Sequence, residues 1–563
     1  MYRRVAPARV NHMQAVAFLF SHVSETQFFR IEEFNDPSFQ RHAYNSVMMP
    51  NEMLSPLSGS ALRVETKEQL DDFLARPDAA QTVKAASFEE IFFTVKGVGL
   101  ADSLDLLPLV SGKQVRGFID LDCWRKDTFV RKPFMEWMGA FIQAGPEETM
   151  KAISGVDDTV ISLFLKDLTH VYEVDRDDPP TGTQLIFTPD NRFAVEPLEQ
   201  GEATTIGMLI LDALFKYNPH LGTQILAKVR YTTRVELEET AYDNKNRRLE
   251  AHGFVDYYDA LSIYAPEAVG ESHPPADRER PVEEIPGEEN PGNLPAVFAD
   301  SLLGGAFLTK AFEQITDPAE AGRFGQELTA LGNRILSANL VNLGELEGIR
   351  PALEEMRDFL TIGLERLTGG NAEIAPDALR KNYIQTVFKF GFDQVARLRD
   401  EADRLAGIRG FRVSVLDESD QQFIEGLRRF KPLLAENLRY RNFQSTADVE
   451  RARARLDELA RMIEVFVQTF PIVRESLAKT FNTATVQFAV SGKFEAIPIK
   501  IRELEQFLSQ GMTLPAIDVP AAMRPFAGRW WEELRAELEP LAGKSIDPRF
   551  IASIHVEEVH HKR

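Results

Sequence analysis

Ser111-Gly112-Lys113-Gln114-Val115-Arg116-Gly117-Phe118-Ile119-Asp120-Leu121-Asp122 carries a helix start and a helix face in one short stretch. The serine with a glutamine three residues on is a capping box, in which each side chain satisfies a backbone N–H at the opening turn. Val115, Phe118 and Ile119 recur three and four apart, the spacing of one helical face. Ser87-Phe88-Glu89-Glu90 and Thr66 with Gln69 repeat the start signal nearby. Together they predict short helices at 67–75, 79–86, 88–96, 103–110, 112–122, 133–144 and 157–170. Connections this brief make neighbouring helices pack on each other, as a compact array or a short superhelix.

Further along, Leu185-Ile186-Phe187 and Phe193-Ala194-Val195 flank Pro189-Asp190-Asn191, which predicts a β-hairpin over 184–196. Asn218-Pro219 opens a helix, or pair of helices, expected to reach Gly253, and Asp256 is placed to cap the next. From Ala265 to Pro295 the composition turns to Pro, Glu and Gly, which predicts an acidic linker over 265–296. Beyond it a second helical bundle is expected over 297–563, with helices near 297–315, 319–341, 350–367, 376–406, 418–437, 446–469, 500–509 and 529–540. Phe411 to Val415 and Thr485 to Val490 read as short strands. The expected fold is therefore mainly α: an array of short helix pairs over 53–264 with one hairpin, a linker, and a C-terminal bundle. Residues 1–52 lack periodicity and are expected to be a peripheral extension or an over-called start, with order beginning near Met53.

Composition narrows the function classes. A formal charge of -22 disfavours nucleic acid and anionic lipid as partners. The one cysteine, Cys123, excludes an intramolecular disulfide framework and fits a reducing compartment; beside Trp124 it reads as a small buried hydrophobe. Arg3, Arg4 and Arg9 precede an apolar run, Ala15 to Phe20, that is too short for a signal peptide or a membrane span. A cytoplasmic location and no membrane insertion are expected.

Several motifs fail on their own chemistry. Gly543-Lys544-Ser545 lacks the first glycine of a phosphate-binding loop, since Leu538 stands there, and reads as a helix-stop turn. Lys96-Gly97-Val98-Gly99 has Asp102 where a dinucleotide fingerprint needs glycine, and reads as a loop. Asp120, Asp122 and Asp127 are spoiled as a calcium loop by Trp124 and Arg125, which leaves the aspartates to solvate a helix end. His555, Glu557, Glu558, His560 and His561 form the densest set of metal-ligating types, but their spacing puts them together on one helix, so a solvated tail is favoured over a metal site. The arginines of 397–412 and 439–455 alternate with acids as on a salt-bridged face. No cofactor signature emerges.

The richest candidate surface is Arg247, Arg248, His252, Tyr257, Tyr258 and Tyr264, with Tyr242 before it. Tyr and Arg in one stretch suit a polar pocket or docking surface. The same residues also suit two ordinary helices with half-buried tyrosines.

Val98 to Leu107, Ile119 to Asp127, Thr188 to Phe193, Leu249 to Leu261, and Phe359 to Glu365 with Gly369-Gly370 resemble a family of uncharacterised bacterial proteins defined only as a domain of unknown function. The likeness spans roughly Val64 to Phe470 and implies a cytosolic, mostly helical protein. Residues 100–121 are similar to the helical superhelix of magnesium transporters and of a flagellar switch protein, an analogy of fold that does not license function. The expected function is a non-catalytic scaffold or adaptor that binds a protein partner of unknown identity. The alternative is an enzyme or small-ligand sensor whose pocket lies between helices.

Overall fold

In a computed structural model of the chain, the described residues are 64, 66–177, 185–265, 301, 305–437, 439–470, 476–510 and 519–557. They are mainly α-helical, with small antiparallel sheets. The N-terminal extension, most of the 265–296 stretch, Glu558, His560 and His561 lie outside them. Two compact units emerge: 1–263 with 277–357 and 379–385, and 264–276 with 358–378 and 386–563. Residues 305–357, assigned by sequence to the second half, thus belong with the first unit.

The first unit begins with the array read from the capping signals: helices Lys67–Leu74, Ala79–Ala85, Phe88–Val98 and Gly112–Asp122, with a 3-10 helix at Ala101–Leu109. Ser111 and Gln114 exchange both capping-box hydrogen bonds. Ser87 accepts from the Glu90 N–H. Lys96, Gly97 and Val98 continue their helix instead of forming a loop, and only Gly99, at φ 101°, leaves it. Arg131–Ala144 and Asp158–Leu168 follow, with an unexpected helix, Pro146–Gly155, between them. Its start was legible in Gly145-Pro146-Glu147-Glu148, since proline suits the first helical turn. Phe92, Phe118, Trp137, Phe134 and Phe164 are fully buried among these helices.

The hairpin at Ile186–Phe187 and Phe193–Pro197 gains a third strand, Thr169–Glu173, on its other side. Sequence periodicity carried the preceding helix through His170, but it ends at Leu168, where the backbone turns extended at Thr169. Helices Glu202–Tyr217, Pro219–Tyr231 and Arg234–Glu250 complete this part of the unit, and Ala306–Glu313 and Pro318–Ala338 join it.

In the second unit, Leu346–Thr368 contributes its last turns and meets Ile384–Ala406 through two glycines. A Cβ at Gly391 would overlap the Phe359 carbonyl oxygen, and one at Gly363 would overlap that of Val387. Backbone meets backbone here, so nothing flexible can yield. Gly391→Ala is expected to destabilise this unit by about 1–3 kcal/mol, read as a lower thermal midpoint; an unchanged midpoint would show the helices slide apart freely.

Two strand expectations are corrected. Val413–Val415 is a 3-10 turn, and Thr485 to Val490 lies in the helix Leu477–Ser491. The threonine hydroxyls of that helix donate to carbonyls four residues back (Thr480 to Ser476, Thr483 to Lys479, Thr485 to Phe481), which satisfies them in a buried helix. The helix expected to reach 437 stops at Leu427, and the chain then pairs Leu434–Glu436 with Arg439–Arg441 around a left-handed Asn437. Arg441 ties Glu436 to Asp448. Burial pushes the Asp448 carboxyl up, but the Arg441 guanidinium and the Gln444 N–H outweigh it and hold its pKa to about 2. The arginine-rich helices do pair with acids, as in Arg397–Asp393, Arg453–Glu401 and Arg455–Asp420.

Among the described residues, 551–557 are extended instead of helical. Ile499 and Val556 form a parallel bridge, and Ile551 and Ile554 pack in a cluster with Leu504, Leu534 and Leu538. The His555 N–H donates to Thr483 Oγ1.

Candidate functional site

The helix Arg234–Glu250 starts on a capping box, in which Thr233 Oγ1 accepts from the Glu236 N–H and Glu236 Oε2 accepts from the Thr233 N–H. Along it, Tyr242, Lys245, Asn246 and Leu249 are spaced three and four apart and so share a face. After it, Gly253 takes φ 84°, and a Cβ there would stand 2.8 Å from the Ala330 carbonyl oxygen, so glycine permits both the turn and the close approach to the helix Pro318–Ala338. The bond from Asn333 Nδ2 to the His252 carbonyl (2.7 Å) and those from Arg334 to Asp259 O and Ser262 Oγ fasten residues 252–262 to that helix. Asp256 caps Tyr257–Leu261, as expected.

Three separated stretches therefore enclose a cavity of about 340 Å³ inside the first unit. One wall is Asp120, Leu121, Trp124, Arg125 and Lys126; the second runs from Tyr242 to Tyr257; the third comprises Leu336, Ser337, Leu340, Val341, Asn342 and Leu343. The volume is at the lower end of the range of small-molecule sites, about 300–1,000 Å³. Trp124 sits on a small hairpin, Trp124–Arg125 with Thr128–Phe129, whose Phe129 N–H donates to Glu238 Oε1.

Lys245 is the unusual member. Its Nζ lies 4.6 Å from the Tyr242 ring centre and 5.6 Å from that of Trp124, and no carboxylate among the described residues forms an ion pair with it. Burial lowers its pKa to about 8, against the opposing pull of Asp120 and Asp256. The buried Trp124 indole N–H has no hydrogen-bond partner among the described residues. Tyr242 donates its hydroxyl to Asp256 Oδ2 at 3.4 Å, and burial raises its pKa. Lys126 and Leu340, on the cavity wall, both adopt left-handed backbone, at φ 57° and 51°. Such strain in residues other than glycine, asparagine or aspartate gathers at binding sites.

An amine whose folded pKa is depressed holds its proton less tightly in the folded state than in the unfolded chain. Its burial costs stability fully below about pH 8, and that cost is relieved as pH rises from there toward 10.5. Lys245→Met is accordingly expected to gain stability over wild type near neutral pH, about pH 7, and to lose that advantage by about pH 10. Urea denaturation at the two pH values checks this, and a pH-independent difference would contradict it.

Beside the cavity lies a charged cluster. Arg248 forks onto Asp120 (2.7 and 2.8 Å) and reaches Asp157 at 2.9 Å. Asp122 accepts the Trp137 Nε1–H at 2.8 Å and pairs with Lys96 at 2.5 Å. The expectation that Asp120 and Asp122 solvate a helix end is corrected: both are buried, because their cationic partners come from other helices. Burial raises the Asp120 carboxyl against the Arg248 fork. Burial also pushes the Cys123 thiol well up, as befits a hydrophobe.

Of the sequence candidates, Tyr242 and Tyr257 line the cavity. Arg247 is exposed and bonds Asn244, and Tyr258 is 79% exposed. Arg248 supports the wall through Asp120. His252 is buried, its Nδ1 2.8 Å from Glu89 Oε1 and its ring edge-on to Phe88. Tyr264 belongs to the second unit, where its ring meets Phe388 and Phe392. Lys245 and Trp124, which sequence reasoning passed over, hold the polar atoms of interest. Of the weak metal candidates, His555 and Glu557 sit on the extended C-terminal segment; among the described residues no three metal-ligating side chains converge.

The class these features define is a mainly helical protein with an interhelical cavity. Residues 52–557 match the model of a family of unknown function (DUF6178), and the chain belongs to that family. No curated protein and no solved structure matches it. No described helix is long and apolar enough to cross a membrane.

Proposed function

We propose that this protein binds a small anionic molecule in the cavity of its first unit and acts as a ligand sensor or enzyme, the alternative weighed from sequence. The observation that carries the reading is Lys245, a cation in the lining with no acid paired to it, beside the unpartnered Trp124 N–H. The wall holds three cations, Arg125, Lys126 and Lys245, against Asp120 and Asp256, and Asp120 is already neutralised by Arg248. On a chain of net charge -22, that local reversal favours an anion. The aromatic and aliphatic walls suit an apolar body behind the charge. A cytoplasmic setting accompanies the reading, supported by the single cysteine and its buried thiol.

Calorimetric titration of the full chain with benzoate and phenylacetate, set against the neutral benzamide, tests it. At least one acid is expected to bind, and Lys245→Met to weaken it by about tenfold or more, equivalent to about 1.4 kcal/mol. Binding by none of the acids, or equal binding of the amide, would overturn the reading.

The protein-partner scaffold stands second. It is supported by the exposed Ile186 and Phe187 on an outer strand of the three-stranded sheet, which offer apolar surface to an added strand. Affinity capture from the source organism is expected to lose its specific partner on Phe187→Asp; retention of that partner would count against it.

A further inference from the structure

Within the cavity, the amine that could recognise an anion is also placed to act as a nucleophile. Lys245 projects from a rigid helix into a wall of aromatic rings, and no described carboxylate is paired with its Nζ. Ordinary surface lysines such as Lys132, 84% exposed, stand in water. Lys245 differs in lying over two ring faces with no carboxylate in ion-pair contact among the described residues, and burial brings its pKa to about 8. Amines are activated as nucleophiles in this way, by removal from water. A carboxylate to handle protons is at hand, since Asp256 lines the cavity and accepts from the Tyr242 hydroxyl. Arg125, whose guanidinium donates to the carbonyls of Asp122 and Trp124, adds a positive charge on the same wall.

From this placement we infer that Lys245 forms an imine with a small carbonyl compound that also carries a carboxylate, an oxo acid or a formyl acid. The inference rests on the reading of the cavity as an anion site. In the step, the Lys245 ammonium first gives one proton to Asp256; the Nζ lone pair so freed adds to the carbonyl carbon, and the C=O π pair moves to oxygen, which takes up a second proton from nitrogen. The resulting carbinolamine loses that oxygen as water when Asp256 returns the first proton, while the nitrogen lone pair closes the C=N bond as a protonated imine. Water is the sole by-product, and no oxidant or reductant enters. The carboxylate of the ligand is left to Arg125, on the same wall.

The test uses the full chain with 4-formylbenzoate, trapped by cyanoborohydride near pH 7.5 and mapped by peptide mass spectrometry. Lys245 is expected to acquire the carboxybenzyl group at least about tenfold faster than Lys132 or any other lysine, the gain in neutral amine outweighing the lower basicity. Excess benzoate is expected to suppress that labelling alone, and Asp256→Asn to slow it. Labelling of Lys245 no faster than of Lys132, with benzoate still binding, overturns the imine and leaves the anion site standing. Equal labelling together with no benzoate binding overturns both.

Discussion

Arg248→Met is expected to destabilise the first unit by about 3–5 kcal/mol, because it leaves a buried carboxylate without its counter-charge. Asp120 is 3% exposed, and its two oxygens accept from Arg248 Nε and Nη2. Asp157 suffers less, since the Thr159 N–H and Asn244 Nδ2 still donate to it. For Asp157, burial works upward, yet the Thr159 N–H and Arg248 together bring its pKa below the usual carboxylate value. Without Arg248, nothing of that strength opposes the burial that already raises Asp120. An acid whose folded pKa is raised binds its proton more tightly in the folded state, so the deficit is expected to narrow as pH falls toward about 4. Hydrogen exchange of the helix Arg234–Glu250 reads this locally, which suits a chain of two units. Protection unchanged at pH 7 would show that the fork contributes nothing.

Asp122→Ala is expected to cost a similar amount, about 3–5 kcal/mol, by a different route. Asp122 is 1% exposed and serves two donors, Lys96 Nζ and Trp137 Nε1. Its removal strands an ammonium held against the Phe92 and Trp137 rings as well as an indole N–H. Removing both ends of a buried pair is milder than removing one, so Lys96→Met with Asp122→Leu is expected to recover much of the loss. Thermal unfolding of the single and double variants checks the comparison. A double variant as unstable as Asp122→Ala would place the cost in packing instead of charge.

Both carboxylates illustrate what could and could not be read from the chain. Helix starts were legible because caps act within four residues: Ser111 with Gln114, Asn218 with Leu221 and Asp256 with Tyr258 all make the local bonds their positions imply. Burial of Asp120 and Asp122 was not, because their partners lie at Arg248 and Lys96 on other helices. The helix over Thr485 to Val490 was hidden for a related reason. Its β-branched residues favour strands locally, and only tertiary packing of Phe481, Ala484 and Val486 reverses that preference.

The cavity was half legible. The Tyr and Arg enrichment drew attention to the right stretch, but composition does not tell which side of a helix a residue occupies. Successive residues point about 100° apart, so Arg247 faces water while Lys245, two positions earlier, faces the wall. Trp124 stands 121 residues before Lys245 and Leu340 stands 95 after it, beyond the linker stretch, and no local pattern joins them to Lys245. A lysine between an asparagine and another asparagine reads as one more surface charge until the rings around it are seen.

The most direct test of the anion site is a crystal structure of the full chain soaked with benzoate. The expected result is a carboxylate within hydrogen-bonding distance, about 2.7–3.2 Å, of Lys245 Nζ or Trp124 Nε1, with the ring against the aliphatic wall of Leu336 and Val341. A cavity holding only water, with Lys245 turned out to solvent, would contradict the account.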